Sequence, residues 1–403
     1  MKNNGKIPIL LILFALLLSV FFRDPSYFIS PRIWAEEGSV YIQSYLDKGF
    51  FGSIFLPHIG YYSLFPNYIV AVCMGVFGLE WIAYGTTIFS MLFMAAILMT
   101  PLLIPGKYWD TNAKKIMILL FSLVLSHGEI WLNTVTMQFY FCLFGCYLLL
   151  SDMENIQGWK KYFCIFLLFN AALTGVTTVI LAPFYLAKYL EDKTQPASAG
   201  NMNIAAFLLI IFFGLLVQIA SVVYLSTSGE ELQRFYLNNI SNFIPGVAKS
   251  FYIFYVHRKF VYLRYAGFLL APVFIYVIFQ SFRLASQAKY LIILSLYITL
   301  VFTLLSLDMR GTSRYVYASS MVIVLLLLNL FDKKEFLLNR FSAVLIVALF
   351  IFKIPQFFDM KQFYNKNWVS YSSSLKESKY DNNVVRIFPQ WKGTNWIIKI
   401  PKK

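Results

Sequence analysis

Long apolar runs are the feature of this sequence that most constrains its fold. Eleven of them follow one another along the chain, at 7–22, 64–79, 82–104, 116–127, 138–151, 162–189, 203–225, 262–282, 289–307, 315–331 and 337–354. A helix needs about 20 mostly apolar residues to cross a bilayer. Because the runs are continuous and do not alternate with polar residues, they exclude the strands of a membrane barrel. The sequence therefore predicts an all-α polytopic membrane protein.

Charge is scarce and unevenly placed. Charged residues make up only 13% of the 403 residues, against about 25% in soluble domains. The net charge of +15 comes largely from Lys and Arg in short loops between apolar runs, as is typical of cytoplasmic loops. We therefore expect membrane lipids, and no nucleic acid, as partners of this chain.

The basic loops also predict the direction of the helices. Lys2 and Lys6 precede the first apolar run, and no small-residue cleavage site follows it. This pattern predicts a retained first helix whose N-terminus lies in the cytoplasm. The run 162–189 is too long for one crossing, and we expect it to break near Thr174-Gly175.

This break makes twelve apolar segments. With the N-terminus inside and the tail outside, the number of crossings must be odd, so one segment does not cross. We assign this role to 64–79, which Pro66 interrupts, and expect about 11 transmembrane helices. The predicted division is a transmembrane domain over 1–354 and a small exterior C-terminal segment over 355–403.

The exterior loops carry the unusual sequence. The first, 23–63, is long and rich in aromatic residues, and its stretch "SVYIQSYLDKGFFGSIF" has the spacing of an amphipathic helix on the membrane surface. The tail contains "VVRIFPQWKGTNWIIKI", which predicts two short strands around a turn.

Two adjacent acids, Glu36 and Glu37, stand at the start of this amphipathic helix, just after Trp34. A carboxylate at a membrane–water boundary suits a general base, because partial desolvation raises its pKa toward the working range. The competing interpretation is a solvated acidic pair on an exposed loop.

Two further groups of aromatic and polar residues lie in the exterior loops. His58, Tyr61 and Tyr62 can stack on a substrate or form an aromatic interface belt. The stretch "SHGEIWLNTVTMQFYF" places several polar residues between two apolar runs, where they need protein or substrate partners: His127, Glu129, Asn133, Thr136 and Gln138.

Two arginines, Arg310 and Arg314, occupy a short exterior loop, where membrane proteins disfavour them. The planar fork of arginine binds phosphate well, although arginines at this depth also reach toward lipid head groups. Acids, arginines and aromatic residues around one exterior cavity suit an amphiphile with an anionic head, such as a sugar linked to polyprenyl phosphate. No metal or other cofactor is expected, because arginines can replace a cation at a single phosphate.

These residues resemble the GT-C superfamily of membrane glycosyltransferases, and size and motif order are similar to the serotype-converting O-antigen glucosyltransferases of bacteria and phages. The matching motifs span most of the chain: "WAEEG" 34–38, "GYYSLFP" 60–66, "NTVTMQ" 133–138, "SRY" 313–315 and "FPQWKGTNW" 388–396. The chain departs from the pattern in having Glu37 for an aspartate and Asn67 where a basic residue is expected.

The resemblance implies roles for individual residues. One of Glu36 and Glu37 is the catalytic base, with Glu37 slightly preferred, while Arg310, Arg314 and Tyr315 bind the donor phosphate. The sugar and the acceptor are then bound by residues of the first and middle exterior loops: Trp34, His58, Tyr61, Tyr62, Asn133 and Gln138.

The implied function is a glycosyltransferase of the bacterial inner membrane with a periplasmic active site. It would move a sugar, glucose by resemblance, from undecaprenyl phosphate to a lipid-linked glycan such as O-antigen. Two other classes stay open. A flippase predicts inverted repeats and charges at the bilayer midplane, and a polymerase or ligase predicts a large late loop; neither feature is evident in the sequence.

Overall fold

The computed structural model describes residues 8–58, 60–126, 128–193, 200–227, 241–252, 261–284, 286–306, 314–332, 335–358, 368, 384–387 and 396–399. Over these residues the protein is mostly helical. The helices are α1 Ile9–Arg23, α2 Ser26–Ile29, α3 Gln43–Ile54, α4 Leu64–Leu98, α5 Thr100–Leu103, α6 Asn112–Val124, α7 Met137–Leu150, α8 Trp159–Leu173, α9 Ala182–Lys193, α10 Gly200–Thr227, α11 Phe243–Phe251, α12 Val261–Leu284, α13 Ser286–Leu305, α14 Tyr317–Leu330 and α15 Phe336–Phe358. Two strands, β1 Val384–Arg386 and β2 Ile397–Lys399, form a small sheet.

Several helices have the length and composition of membrane spans. Among the residues that the structure describes, four qualify on both counts, lying in α4, α10, α13 and α15, and shorter apolar helices occur in α1, α7, α12 and α14. These helices agree with the predicted all-α membrane protein. The expected count of about 11 crossings stays a prediction.

Helix α4 is bent back on itself at Gly78. This residue has φ 69° and ψ 179°, a backbone region that is essentially restricted to glycine. In a straight helix, Gly85 and Cys73 would lie about 18 Å apart, because 12 residues separate them. A Cβ added to Gly85 would instead lie only 2.6 Å from the Cys73 sulfur, so the two halves of α4 pack against each other. The apolar segment 64–79 is thus one arm of a helical hairpin. Pro66 does not interrupt it but lies in its first turn, where no helical N–H bond is lost.

The expected break near Thr174-Gly175 is present. Helix α8 ends at Leu173, Gly175 has φ 72°, and α9 begins at Ala182. The break brings the chain against the first loop, because Phe65 N–H donates to the Thr174 hydroxyl (3.1 Å) and Gly175 N–H donates to the Tyr62 carbonyl (3.0 Å).

Contacts sort the helix termini into two ends of the bundle. At one end, which carries the loop 23–63 and which we call the first-loop end, Arg23 donates to the carbonyls of Ser126 and Phe357. At the opposite end, Lys114 pairs with Asp332 at 2.6 Å. The same end holds a cavity lined by Lys107, Lys188 and Gln287, among others. Basic loops therefore share one end, as the topology prediction requires; which compartment that end faces stays a prediction.

Helices α7 and α14 form the centre of the bundle. Every residue of α7 is buried, as is every residue of α14 except Asn329. Their aromatic side chains meet edge to face, with the Tyr140 and Tyr317 rings 5.1 Å apart. This packed pair fixes the loops that precede both helices, 128–136 and 314–316, at the first-loop end.

The C-terminal strands pack on the first loop. β1 and β2 pair antiparallel, with Val385 opposite Ile398, which confirms the predicted strand pair. Lys399 N–H donates to the Gln43 side chain (2.6 Å), and the Gln43 amide donates to the Lys399 carbonyl (3.2 Å). A Cβ on Gly38 would lie 2.6 Å from Ile387. The boundary expected after residue 354 falls inside α15.

Candidate active site

The two acids lie where an irregular helix begins. The chain forms a π-helical turn over Glu37–Ile42 and continues into α3. The predicted helix therefore begins with a widened turn and is interrupted at Gly49, which has φ 70° and ψ −173°; its place on the membrane surface stays a prediction. Widened turns of this kind are uncommon and cluster at functional sites. Glu37 is buried, whereas Glu36 is only partly buried.

Glu37 is held in the protein interior by three hydrogen bonds. One carboxylate oxygen accepts from the backbone N–H and the hydroxyl of Thr134, both at 2.6 Å, and the other accepts from Trp34 N–H at 3.0 Å. Burial raises the pKa of Glu37, while the bonds from Thr134 and Trp34 and the charge of Arg32 act in the opposite direction. Glu37 therefore links the first loop to the loop before α7, and both of its carboxylate oxygens accept hydrogen bonds from the protein.

Glu36 belongs to a charged cluster with Arg314 and Glu129. Burial lowers the pKa of Arg314, but Tyr315, Glu129 and Glu36 outweigh this effect, so the net shift is upward. The guanidinium carbon also lies 5.2 Å from the centre of the Tyr315 ring. Glu36 and Tyr315 thus both act on Arg314, while the roles predicted for these residues stay predictions. Within the described residues, the Arg314 Nε has no hydrogen-bond partner.

Comparison with known proteins gave no family. Neither a family model, nor a curated protein, nor a solved structure matches this chain. The functional argument therefore rests on the site itself.

The aromatic pair of the first loop is fixed by amide side chains. Gln138 donates to the Tyr61 hydroxyl (3.4 Å). The Gln218 side chain accepts from Tyr62 N–H (3.0 Å) and donates to the Tyr62 carbonyl (3.1 Å). It thus satisfies both backbone groups of Tyr62, as the backbone of a paired strand would. A Cβ on Gly175 would overlap the Gln138 amide oxygen, so this glycine allows the close approach. Tyr61 and Tyr62 are both buried.

Two asparagines hold the backbone. Asn133 accepts from Thr136 N–H (2.9 Å) and hydroxyl (2.8 Å) and donates to the Glu129 carbonyl (3.0 Å), which closes the turn before α7. Asn67 donates to the carbonyls of Ile54 and Leu56 (3.1 and 2.8 Å). Asn67 stands where the resemblance leads us to expect a basic residue, and its side chain fixes the end of α3 instead.

Trp34 and His58 are both held by contacts within the first loop. Trp34 is buried, and the Arg32 guanidinium lies 4.6 Å from its ring centre. His58 approaches the Ser44 hydroxyl (3.3 Å) and packs edge to face on Tyr41. Burial, with a smaller effect of Lys48, lowers the pKa of His58 to about 4, so the ring is neutral near pH 7.

An apolar groove adjoins Tyr62. It has a volume of about 720 Å³ and is lined almost entirely by apolar side chains, including Phe55, Phe169, Phe213 and Val217. It opens beside the first loop at the level where α8 and α10 pack together. A groove of this size and chemistry suits an aliphatic chain.

Some expected residues fall outside the described part of the chain. These are Arg310, His127 and most of "FPQWKGTNW". Among the residues that the structure describes, there is no group of His, Cys, Asp and Glu arranged to hold a metal ion.

The sequence prediction missed three contributors: Thr134, Gln218 and Arg32. Thr134 lies inside the "NTVTMQ" motif, so its place in the sequence was a usable signal. Gln218 is a single amide in the apolar run of α10, where a polar side chain needs a partner. Arg32 lies two residues before Trp34 of the "WAEEG" motif and had no distinct signal.

Proposed function

We propose that this protein is a membrane glycosyltransferase that moves a sugar from a polyprenyl phosphate to a lipid-linked glycan. The observation that carries the proposal is that a partly exposed acid, Glu36, interacts electrostatically with Arg314 at the end of the bundle where the apolar groove lies. An acid for the acceptor, a cation for the phosphate and a groove for the lipid are the three requirements of this chemistry.

The proposed step is a single displacement. The acceptor hydroxyl attacks the anomeric carbon of the sugar, the bond from that carbon to the phosphate oxygen breaks, and Glu36 takes the hydroxyl proton. The electron pair stays on the phosphate oxygen. The leaving polyprenyl phosphate therefore gains one negative charge, which nearby cations stabilise.

Glu36 rather than Glu37 is the base in this proposal. A general base needs an oxygen within reach of the acceptor, and Glu36 retains partial exposure. Both oxygens of Glu37 accept bonds from Thr134 and Trp34, which suits a positioning residue. Tyr61 and Gln138 are the proposed sugar contacts; they lie side by side, because the Gln138 amide donates to the Tyr61 hydroxyl and to the Val135 carbonyl (both 3.4 Å).

The direct test is sugar transfer by the purified full chain in detergent. The donor is a radiolabelled glucosyl polyprenyl phosphate, and the acceptor is a lipid-linked oligosaccharide. We expect label in the acceptor with wild-type protein and a loss of at least about 100-fold with Glu36→Gln, a range typical of a removed general base. Transfer by Glu36→Gln at the wild-type rate would contradict this assignment.

The flippase alternative is tested in the same preparation. Reconstituted into vesicles, a flippase moves labelled donor lipid between leaflets without any acceptor. We expect no acceptor-independent movement beyond that of empty vesicles; robust movement without sugar transfer would replace the glycosyltransferase proposal.

A further inference from the structure

The two arms of the α4 hairpin pack against each other along their length. Near the bend, a Cβ on Gly85 would lie 2.6 Å from the Cys73 sulfur. At the other end of the hairpin, the rings of Phe65 and Phe93 meet edge to face, with their centres 4.7 Å apart. The first arm, residues 64–77, is therefore a helix of about 20 Å that runs from the first loop to the bend, and the second arm runs back beside it.

Both ends of the first arm lie at the first-loop end of the bundle. Near its start, Asn67 donates to the first-loop carbonyl of Leu56 (2.8 Å). At the bend, the Leu79 carbonyl accepts from the Trp368 indole N–H (2.8 Å), and the Trp368 backbone N–H donates to the first-loop carbonyl of Pro31 (3.2 Å). Because a helix that crosses the membrane must end on the opposite side, the first arm stays on the first-loop side.

The exposed face of this first arm is apolar. Tyr68, Val72 and Val76 are spaced four residues apart and so share one face of the helix. Val72 is partly buried, whereas Tyr68 and Val76 are exposed, Val76 by 69%. Residues 64–77 include no charged side chain. A helix face in contact with water carries polar side chains, so this stripe calls for an apolar partner.

Helix α3 lies alongside the first arm and has both charged and aromatic side chains on its surface. A Cβ on Gly75 would lie 3.8 Å from the Tyr45 hydroxyl, which places the two helices side by side. Asp47 and Lys48 are exposed, and so is Phe51, by 76%. Exposed charges and an exposed aromatic ring on one helix are typical of a helix at a membrane–water boundary.

The bilayer is the partner that fits this surface, because the surface continues into a membrane span. The second arm belongs to a helix with the length and composition of such a span, and its own exposed side chains include Trp81, Ile88 and Leu92. Trp and Tyr are enriched where a membrane meets water, and Trp81 lies just after the bend. Lipid that surrounds the second arm can therefore also cover the stripe of the first.

We propose that α3 and the first arm of α4 form an interfacial helix pair, which lies in the leaflet on the first-loop side and inserts Phe51, Tyr68 and Val76 among the acyl chains. Helix α4 then crosses the membrane once, through its second arm. The contact with lipid does not depend on the proposed function, but its use does. The π-helical turn over Glu37–Ile42 continues into α3, so the pair holds Glu36 at the level of the lipid phosphates, where a polyprenyl phosphate presents its sugar.

The test is a depth measurement on the full chain, reconstituted into vesicles of phosphatidylcholine and phosphatidylglycerol. A spin label is attached to one introduced cysteine, since the four native cysteines are buried, and wild-type protein treated with the label gives the background. The collisions of the label with oxygen and with a water-soluble nickel chelate are then compared. Val76→Cys and Tyr68→Cys report on the stripe, and Phe51→Cys reports on α3. Lys48→Cys is the matched aqueous control, and Leu209→Cys, on the exposed apolar surface of α10, is the lipid control.

We expect the labels at positions 51, 68 and 76 to collide more often with oxygen than with the chelate, at a depth of about 5–10 Å below the head groups. The label at position 209 should also favour oxygen, because it faces the acyl chains. The label at position 48 should favour the chelate, although it lies within one helical turn of position 51.

Three outcomes overturn the proposal. Contact with the chelate at positions 68 and 76 equal to that at position 48 places the first arm in water. Rare collisions with both reagents place the stripe under protein, such as a second copy of this chain. A depth that increases from position 68 to the bilayer centre at position 76 makes the first arm a crossing helix. The two stripe positions are labelled separately, so a variant that misfolds at one leaves the other to decide.

Failure of the proposed function has a different signature. If the labels lie at the expected depths but the same vesicles transfer no sugar to a lipid-linked acceptor, the glycosyltransferase proposal is refuted and the interfacial helix pair stands.

Discussion

The sharpest prediction separates the two adjacent acids by replacing each with glutamine. In Glu37→Gln, the amide oxygen can keep the two bonds from Thr134, but the amide NH₂ then faces Trp34 N–H across the present 3.0 Å. A buried donor without a partner costs about 1–3 kcal/mol. Exchanging a charged acceptor for a neutral one on the Thr134 bonds weakens them by up to about 1 kcal/mol more.

Removal of the buried charge offsets part of this loss, so we expect a net destabilisation of about 2 kcal/mol, of the size of one or two ordinary hydrogen bonds. Glu36→Gln, at a partly exposed position, should change stability by less than about 0.5 kcal/mol. The measurement is the free energy of unfolding in mixed micelles, titrated with a denaturing detergent, followed for both variants beside wild type. Unchanged stability of Glu37→Gln, or destabilisation of Glu36→Gln alone, would refute the division of roles.

Three further predictions concern the scaffold. Gly78→Ala should destabilise the α4 hairpin by about 1–3 kcal/mol, because its backbone conformation excludes a side chain; Gly75→Ala, whose Cβ would meet nothing closer than 3.8 Å, is the control in the same unfolding assay. Gly38→Ala should cost about 1–3 kcal/mol through overlap with Ile387, and adding Ile387→Ala should recover part of it; a strictly additive double variant would disprove the contact. In the folded protein the pKa of His58 is lowered to about 4, whereas in the unfolded chain it has the ordinary value of about 6.5. Between these two pH values the unfolded chain binds more protons than the folded protein, so the free energy of unfolding should fall as the pH drops from about 6.5 to about 4. His58→Gln should remove that component of the pH profile, and an identical profile would contradict the burial of this ring.

Much of the helical architecture could be predicted from the sequence. Apolar runs predicted most of the long helices to within a few residues, since each must bury its surface in lipid or protein. The break at Thr174-Gly175 and the strand pair 384–399 were also visible, one from excess length and the other from turn residues. The hairpin at Gly78 was not resolved as such, because a glycine with positive φ looks the same in sequence as one inside a helix.

The site was less predictable. Sequence proximity joined Glu36 and Glu37 but could not show that one is enclosed by Thr134 and the other faces Arg314. That difference depends on contacts across about 100 and 280 residues of chain. The amide pairing of Gln218 with Tyr62 likewise depends on how α10 packs beside the first loop, which no local pattern specifies.

The central claim, sugar transfer at Glu36, is tested most directly on the surface glycan of cells with and without this gene. We predict that deleting the gene removes one sugar from the glycan and that wild-type protein restores it. Glu36→Gln, produced at the same level in the membrane, should not restore it. A glycan unchanged by deletion, or restored in full by Glu36→Gln, would contradict the account.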